Sequence, residues 1–339
     1  MSLTDVLSPV RGAQVPLTDA DARAARAADA SGLRTAQSPS AVFLVRPHHF
    51  TPNPVTRADN AFQRLADGSP ADVAARARAE VTALAAALRR AGVAVTVFDD
   101  ASARRPDSVF PNNWITTHAD GTVCLFPLYA PNRRPERRGD VLRRLRQGFV
   151  VRRVVDYSPG EEDGRFLEGT GAMVLDHVHR VAYACRSRRM DEELLAEFCR
   201  DRGYVPLVFD ASDATGVPVY HTNVLMSIGE EIAVIGAEMI RDQIQRERVL
   251  HALRESGRTV VELTEAQVRS FAGNCKELTG RGGPVLAMST TAHASLQPDQ
   301  LAMLEAHVRV LAQPVPTIEA AGGSVRCMIA GLHLQRRAQ

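Results

Sequence analysis

The sequence predicts an α/β fold: a single domain built as a ring of five strand–strand–helix–strand units. Three observations predict it. Two short apolar strands, a helix and a third strand recur about every 50 residues, and periods of that size belong to repeat architectures rather than to a doubly wound sheet. No GxGxxG turn joins a strand to a helix, so dinucleotide binding has little support. No linker rich in Pro, Gly or Ser splits the middle of the chain, so one closed domain accounts for 339 residues better than the alternative of two.

The elements follow in order. Residues 1–38, rich in Ala, Asp, Arg and Ser, read as a flexible N-terminal arm, with a short helix near 19–30; the domain spans 39–335. The apolar run 41–45 suits a buried strand. A helix over 70–91 has Ala, Val and Leu at helical spacing, stops at Gly92 and feeds a strand over 93–98. Strands near 114–118 and 122–126 precede a basic helix over 133–147 and a strand over 149–155. Strands near 172–176 and 180–184 precede a helix over 190–202 and a strand over 205–209. The fourth unit has strands near 223–227 and 232–235, a helix over 238–256 and a strand over 259–262. The last has strands near 275–279 and 285–288, a helix over 298–310, a strand near Val315 and a C-terminal strand over 326–330.

Composition narrows the function. The chain is 45% hydrophobic and 24% charged, as in a soluble globular protein, and its net charge of +2 provides no field for nucleic acid. The Arg-rich run 133–146 is broken by Pro135, Glu136, Gly139 and Asp140 and reads as a solvated helix face. Five cysteines, at 124, 185, 199, 275 and 327, include no CxxC pair, which argues against a thiolate metal site. Their odd number, with no apolar export signal in residues 1–20, points to reduced thiols in a cytoplasmic protein. No stretch reaches the roughly 18 apolar residues of a membrane span. Neither a metal nor a cofactor is expected; oligomeric state is open, a homo-oligomer included.

Polar clusters mark where apolar strands begin. Asp107-Ser108-Val109-Phe110-Pro111-Asn112-Asn113-Trp114, Leu167-Glu168-Gly169-Thr170-Gly171, Tyr220-His221-Thr222-Asn223 and Gly322-Gly323-Ser324-Val325-Arg326-Cys327 each precede a strand at the same place in a repeat. In a ring, equivalent positions converge, which brings Asp107, Glu168, His221 and Cys327 into one site. A lone Cys is more often a small buried hydrophobe, the reading for Cys124, Cys185, Cys199 and Cys275. Cys327 differs: a Gly-Gly-Ser turn permits close approach of a ligand, and the neighbouring Arg326 favours thiolate. Glu168 before Gly-Thr-Gly reads equally well as a turn cap.

With Val45-Arg46-Pro47, Asn53-Pro54, Asn60-Ala61-Phe62-Gln63 and Gly273-Asn274, these clusters resemble the citrulline-utilisation hydrolase family. That family is similar to arginine deiminases and dimethylarginine dimethylaminohydrolases within the amidinotransferase superfamily. The resemblance covers residues 41–334 and implies the pentein fold, an α/β-propeller of five repeats. It also implies roles. Cys327 matches the nucleophile, His221 the general acid/base and Glu168 the carboxylate that orients it. Asp107 matches the carboxylate that grips guanidinium or ureido nitrogens, with Asn112, Asn113 and Asn223 beside it. Arg189, in the altered segment Cys185-Arg186-Ser187-Arg188-Arg189, resembles the holder of a substrate α-carboxylate, and Arg46 is a second candidate.

The chemistry suits these residue types. A guanidinium or urea carbon is a poor electrophile, and a thiolate divides its hydrolysis into two easier steps. His221 then protonates the departing amine and later activates water. Deiminases that grip arginine commonly carry His-x-Asp where this chain has His221-Thr222-Asn223. An Asn both donates and accepts, so the pocket is expected to favour the neutral ureido group of citrulline over arginine. The expectation is a hydrolase of a small guanidino or ureido amino acid. An amidinotransferase would instead yield a guanidino product from arginine and a second amine, and a catalytically silent ring-shaped binding protein would leave Cys327 unlabelled by a thiol-reactive amidine.

Overall fold

A computed structural model describes residues 36–337. Its strands are β1 (Ala41–Pro47), β2 (Ala94–Asp100), β3 (Ile115–Thr117), β4 (Thr122–Leu125), β5 (Arg153–Asp156), β6 (Val174–Asp176), β7 (Val181–Cys185) and β8 (Val205–Phe209). They continue with β9 (Met226–Ile228), β10 (Ile232–Ile235), β11 (Thr259–Glu262), β12 (Lys276–Gly280), β13 (Gly283–Ser289), β14 (Arg309–Gln313) and β15 (Ala330–Leu332). Among the described residues they form five three-stranded sheets, β15-β1-β2, β3-β4-β5, β6-β7-β8, β9-β10-β11 and β12-β13-β14. In each, the first pair is antiparallel and the second parallel. A parallel pair needs a crossover, and helices α1 (Pro70–Arg90), α2 (Gly139–Gly148), α3 (Glu192–Arg202), α4 (Gln243–Glu255) and α5 (Pro298–Glu305) supply it. The fifth unit is shared between the ends of the domain, because β15 pairs with β1, Phe43 facing Ala330. This is the five-repeat pentein propeller that the sequence predicts.

Local chemistry sets the helix ends. Ser69 caps α1 by accepting from Asp72 N, with Pro70 at the first helical position, and Asp191 and Asp242 cap α3 and α4 in the same way. Gly203, at φ 67°, ends α3 in the left-handed conformation. The apolar face of α1 buries Val81, Leu84 and Leu88 completely against Val42 and Leu44 of β1. No helix among the described residues is long and apolar enough to cross a membrane.

Several boundaries differ from expectation. The helix expected over 133–147 begins only at Gly139; before it, Pro131–Glu136 forms a 3-10 turn containing two prolines, which cannot donate into a regular helix. Its Arg133 and Glu136 are buried, not part of a solvated face. Residues 222–225 form a helical turn, so β9 starts at Met226 rather than 223. The helix expected over 298–310 ends at Glu305, β14 occupies Arg309–Gln313, and Val315 instead heads the turn Pro316–Glu319. The C-terminal strand is Ala330–Leu332 rather than 326–330. The helix expected near 19–30 lies outside the described residues, as does nearly all of the arm. Its last residues, Gln37 and Ser38, are packed instead: Gln37 Nε2 donates to the carbonyls of Leu175 and Ile228.

Candidate active site

A short helical turn precedes three of the inner strands: Pro111–Asn113 before β3, Gly169–Ala172 before β6 and Thr222–Leu225 before β9. Residues 324–328 make a comparable turn before β15, with Met328 N donating to the Ser324 carbonyl. These turns carry the expected polar residues to one end of the ring. There they surround a small cavity lined by Asp107, Asn113, Arg133, Arg189, His221 and Cys327, among others.

Close approach depends on glycines. A Cβ on Gly171 would lie 2.3 Å from Asn113 Nδ2 and 2.8 Å from His221 Cε1, so a larger residue there would displace both side chains. Gly322, at φ 82°, packs against Asn60, and a Cβ on Gly323 would lie 2.8 Å from the Phe110 ring.

Cys327 is 2% exposed. Two amides donate to its sulfur, Asn274 Nδ2 at 3.2 Å and Asn223 Nδ2 at 3.3 Å. Asn274 Oδ1 also accepts from Cys327 N, which fixes that amide's orientation. Burial pushes the thiol pKa up, and the two amides and the Arg326 charge only partly offset this. The resting group is therefore a thiol that ionises when something takes its proton.

His221 is held by a carboxylate. Its Nε2 lies 2.8 Å from Glu168 Oε2. Burial would raise Glu168, but Arg189, the His221 hydrogen bond and Arg133 outweigh it and hold the carboxyl well below the usual carboxylate range. An ionised carboxylate only accepts, so the network assigns the proton to Nε2 and leaves Nδ1 as the free base. Burial lowers the imidazole to about 4, against the pull of Glu168 in the other direction. Tyr129 N donates to the second Glu168 oxygen at 2.9 Å and locks its orientation.

Asp107 Oδ2 accepts from Asn53 Nδ2 at 2.8 Å, while its Oδ1, also buried, has no partner. Burial raises this carboxyl against the pull of Arg133 and Asn53. Such an oxygen is costly unless a ligand's N–H groups reach it. Asn113 is complementary: Oδ1 accepts from Arg133 at 3.1 Å, which orients the amide, and its Nδ2 is buried without an acceptor.

Arg133, missed in the sequence, joins these groups. It donates twice to Glu136, at 3.1 and 3.0 Å, and lies 3.5 Å from both Asp107 and Glu168. Its signal was available: Pro131 and Pro135 exclude a regular helix, and Arg133 and Glu136 stand three apart between and beside them. Arg189 lines the cavity as expected, but Asp59 already holds it through two bonds, at 3.0 and 2.9 Å. Asp59, Asn53, Asn274 and Arg133 are the site's unanticipated members.

Three expected substrate-binding residues are not on the cavity wall. Arg46 pairs with Asp99 at 2.7 and 2.8 Å on the outer surface, because the parallel register of β1 and β2 sets the two side by side. Asn112 is buried but absent from the cavity wall, since neighbours in a 3-10 turn point about 120° apart and only Asn113 faces inward. Asn223 is likewise not on the wall: a helical turn sends residue 223 to a different side from His221, against the sulfur.

Similar proteins share this architecture. The N-terminal domain of ArgZ, an arginine dihydrolase from Cyanobacteria solved with bound substrate, superposes with a TM-score of 0.67 at 17% identity, over 87% of this chain and 99% of that one. Full-length ArgZ gives 0.66 at 18% identity, with 86% of this chain covered but only 40% of the larger protein. A dimethylarginine dimethylaminohydrolase adduct with 4-chloro-2-hydroxymethylpyridine gives 0.59 at 14% identity, over 86% and 99%. No curated protein matches the chain. The family described as N,N dimethylarginine dimethylhydrolase, eukaryotic, matches residues 46–334, nearly the whole described chain. The chain belongs to that family, a pentein group of hydrolases acting on guanidino C–N bonds.

Proposed function

We propose that the chain hydrolyses a C–N bond of a ureido or guanidino amino acid, citrulline ahead of arginine, through a covalent bond to Cys327. The observation that carries this reading is the cavity shared by the amide-cradled Cys327 sulfur, the His221–Glu168 pair and the unpartnered Asp107 oxygen. Asp107 Oδ1 accepts the planar group's N–H protons and sets its carbon against the sulfur. His221 Nδ1 takes the thiol proton as the C–S bond forms, then delivers it to the departing nitrogen as the C–N bond breaks. For citrulline the products of that step are a thiocarbamate and ammonia. Water, deprotonated by His221, adds to the carbon; the C–S bond breaks and the thiolate recovers the proton.

The unpartnered Asn113 Nδ2 supports the ureido group, which has an oxygen to accept from it; a guanidinium has none. A second reading, with arginine as the substrate that enters, is favoured by the unpartnered Asp107 Oδ1 on the cavity wall, which the N–H groups of a guanidinium can meet. Incubation with citrulline, arginine, agmatine and methylated arginines, followed by product identification, decides between them. Ammonia or amine release from one of these supports the reading. Release from none, or a guanidino product formed only when a second amine is added, overturns it.

A further inference from the structure

Between β14 and β15 no strand forms: the chain makes the short helical turn Pro316–Glu319 and then the segment that carries the nucleophile. Ala321, Gly322 and Gly323 of that segment line the cavity together with Cys327. Two adjacent glycines leave such a stretch many alternative conformations, so groups from elsewhere must fix its path. Three tethers do so. Glu80 of α1 accepts from Thr317 N at 2.9 Å and Ile318 N at 3.0 Å, which holds the start. The Tyr220 hydroxyl and Asn60 Nδ2 donate to the Gly322 carbonyl, which holds the wall. The third tether is an acid that the hydrolysis does not use. Glu319 Oε1 accepts from Ser324 Oγ at 2.9 Å, and its Oε2 accepts from Thr291 Oγ1, just beyond β13, at 2.8 Å.

Glu319 and Ser324 are both fully buried. The two carboxyl oxygens meet hydroxyl groups and, among the described residues, no cation. A buried carboxyl is costly unless hydrogen bonds satisfy it, so these two bonds hold the side chain in one place. The Glu319 carbonyl also accepts from Gly322 N at 2.9 Å, so the acid is bonded to the segment twice. Ser324 in turn begins the turn around the nucleophile, its carbonyl accepting from Met328 N at 3.3 Å. That turn sets the Cys327 sulfur against Asn274 and Asn223, at 3.2 and 3.3 Å.

We propose, on the reading of Cys327 as nucleophile, that Glu319 is a positioning residue: through Ser324 it fixes the turn that holds the sulfur between its two amide donors. Without the Ser324 bond, the tethers at Glu80, Tyr220 and Asn60 still hold the wall that meets the substrate. The sulfur alone loses its alignment, and kcat falls while KM does not.

Ser324→Ala tests this with little change in volume. It should lower kcat at least about tenfold and keep KM within about threefold of wild type, because misalignment of a reacting group acts on the chemical step. Alkylation of Cys327 against pH, read on its own peptide by mass, should show a higher midpoint, because the amides that favour thiolate are no longer aligned. Thr291→Val removes the other bond to Glu319 and leaves the one to Ser324, so it should lower Tm with kcat and the midpoint at wild-type values. Wild-type kcat or an unmoved midpoint in Ser324→Ala, or the same changes in Thr291→Val, overturns the proposal. If Ser324→Ala does not fold, Glu319→Asp, which withdraws the carboxyl from Ser324 by one methylene, is read by the same criteria. Alkylation needs no turnover: a raised midpoint in a chain that releases no ammonia supports the positioning role and refutes the hydrolase, and an unmoved midpoint in an active chain does the reverse.

Discussion

Replacing Asn223 with Asp tests how the sulfur is controlled. The change removes one of two amide donors to Cys327 and sets a carboxylate in its place, at the present Nδ2–Sγ separation of 3.3 Å. Two unit negative charges that far apart repel by about 5 kcal/mol at an effective dielectric near 20. That is close to four pKa units on a thiol that burial already pushes up. With neutral citrulline nothing offsets the cost, and kcat/KM should fall by roughly a thousandfold or more. With arginine, a guanidinium about 4 Å from the new carboxylate returns some 4 kcal/mol at the same dielectric. Partial protonation of the new acid will shrink both effects. The arginine-to-citrulline ratio of kcat/KM should still rise at least tenfold, a difference of about 1.4 kcal/mol. The assay is ammonia release from each substrate at one pH and ionic strength, with thiol alkylation against pH reporting the Cys327 pKa. Equal losses on both substrates, or an unmoved thiol pKa, would refute the reasoning.

Other outcomes follow from the same geometry. Gly171→Ala should lower turnover by at least a hundredfold while the chain stays folded, because the methyl would occupy the space of Asn113 Nδ2 and the His221 ring; wild-type rates would show that His221 need not be fixed. Arg46→Ala should leave kcat/KM unchanged and cost less than about 1 kcal/mol of stability, since the Asp99 pair is at the surface; a large rise in KM would restore Arg46 to the site. Stability should depend on pH through His221. Its folded pKa of about 4 lies below the unfolded value of about 6.5, so the unfolded chain binds the proton first. This contribution, about 3 kcal/mol, is complete above about pH 6.5 and is lost as pH falls towards 4. Urea midpoints across that range measure it, and a flat profile, or one that His221→Gln leaves unchanged, would contradict it.

The five units were legible because each antiparallel pair is a short apolar run and each crossover helix carries its own cap, as at Ser69, Asp191 and Asp242. The meeting of Cys327, His221, Glu168 and Asp107 followed from their common place in the repeat. The direction of individual side chains was not legible. Whether Asn112 or Asn113 faces inward, and whether Asn223 meets substrate or sulfur, is decided by single helical turns that local composition does not distinguish from the start of a strand. Arg46 was misplaced because only strand register shows that Asp99 lies beside it. Arg133 was hidden by its charged neighbours, although it is among the larger fully buried side chains.

The covalent role of Cys327 is the centre of the account, and acid quenching during turnover followed by intact-protein and peptide mass measurement tests it most directly. An adduct on Cys327 with the mass of the substrate less ammonia, absent from Cys327→Ser, is the predicted result. Turnover with no adduct, together with Cys327→Ser keeping more than about one per cent of wild-type activity, would contradict it.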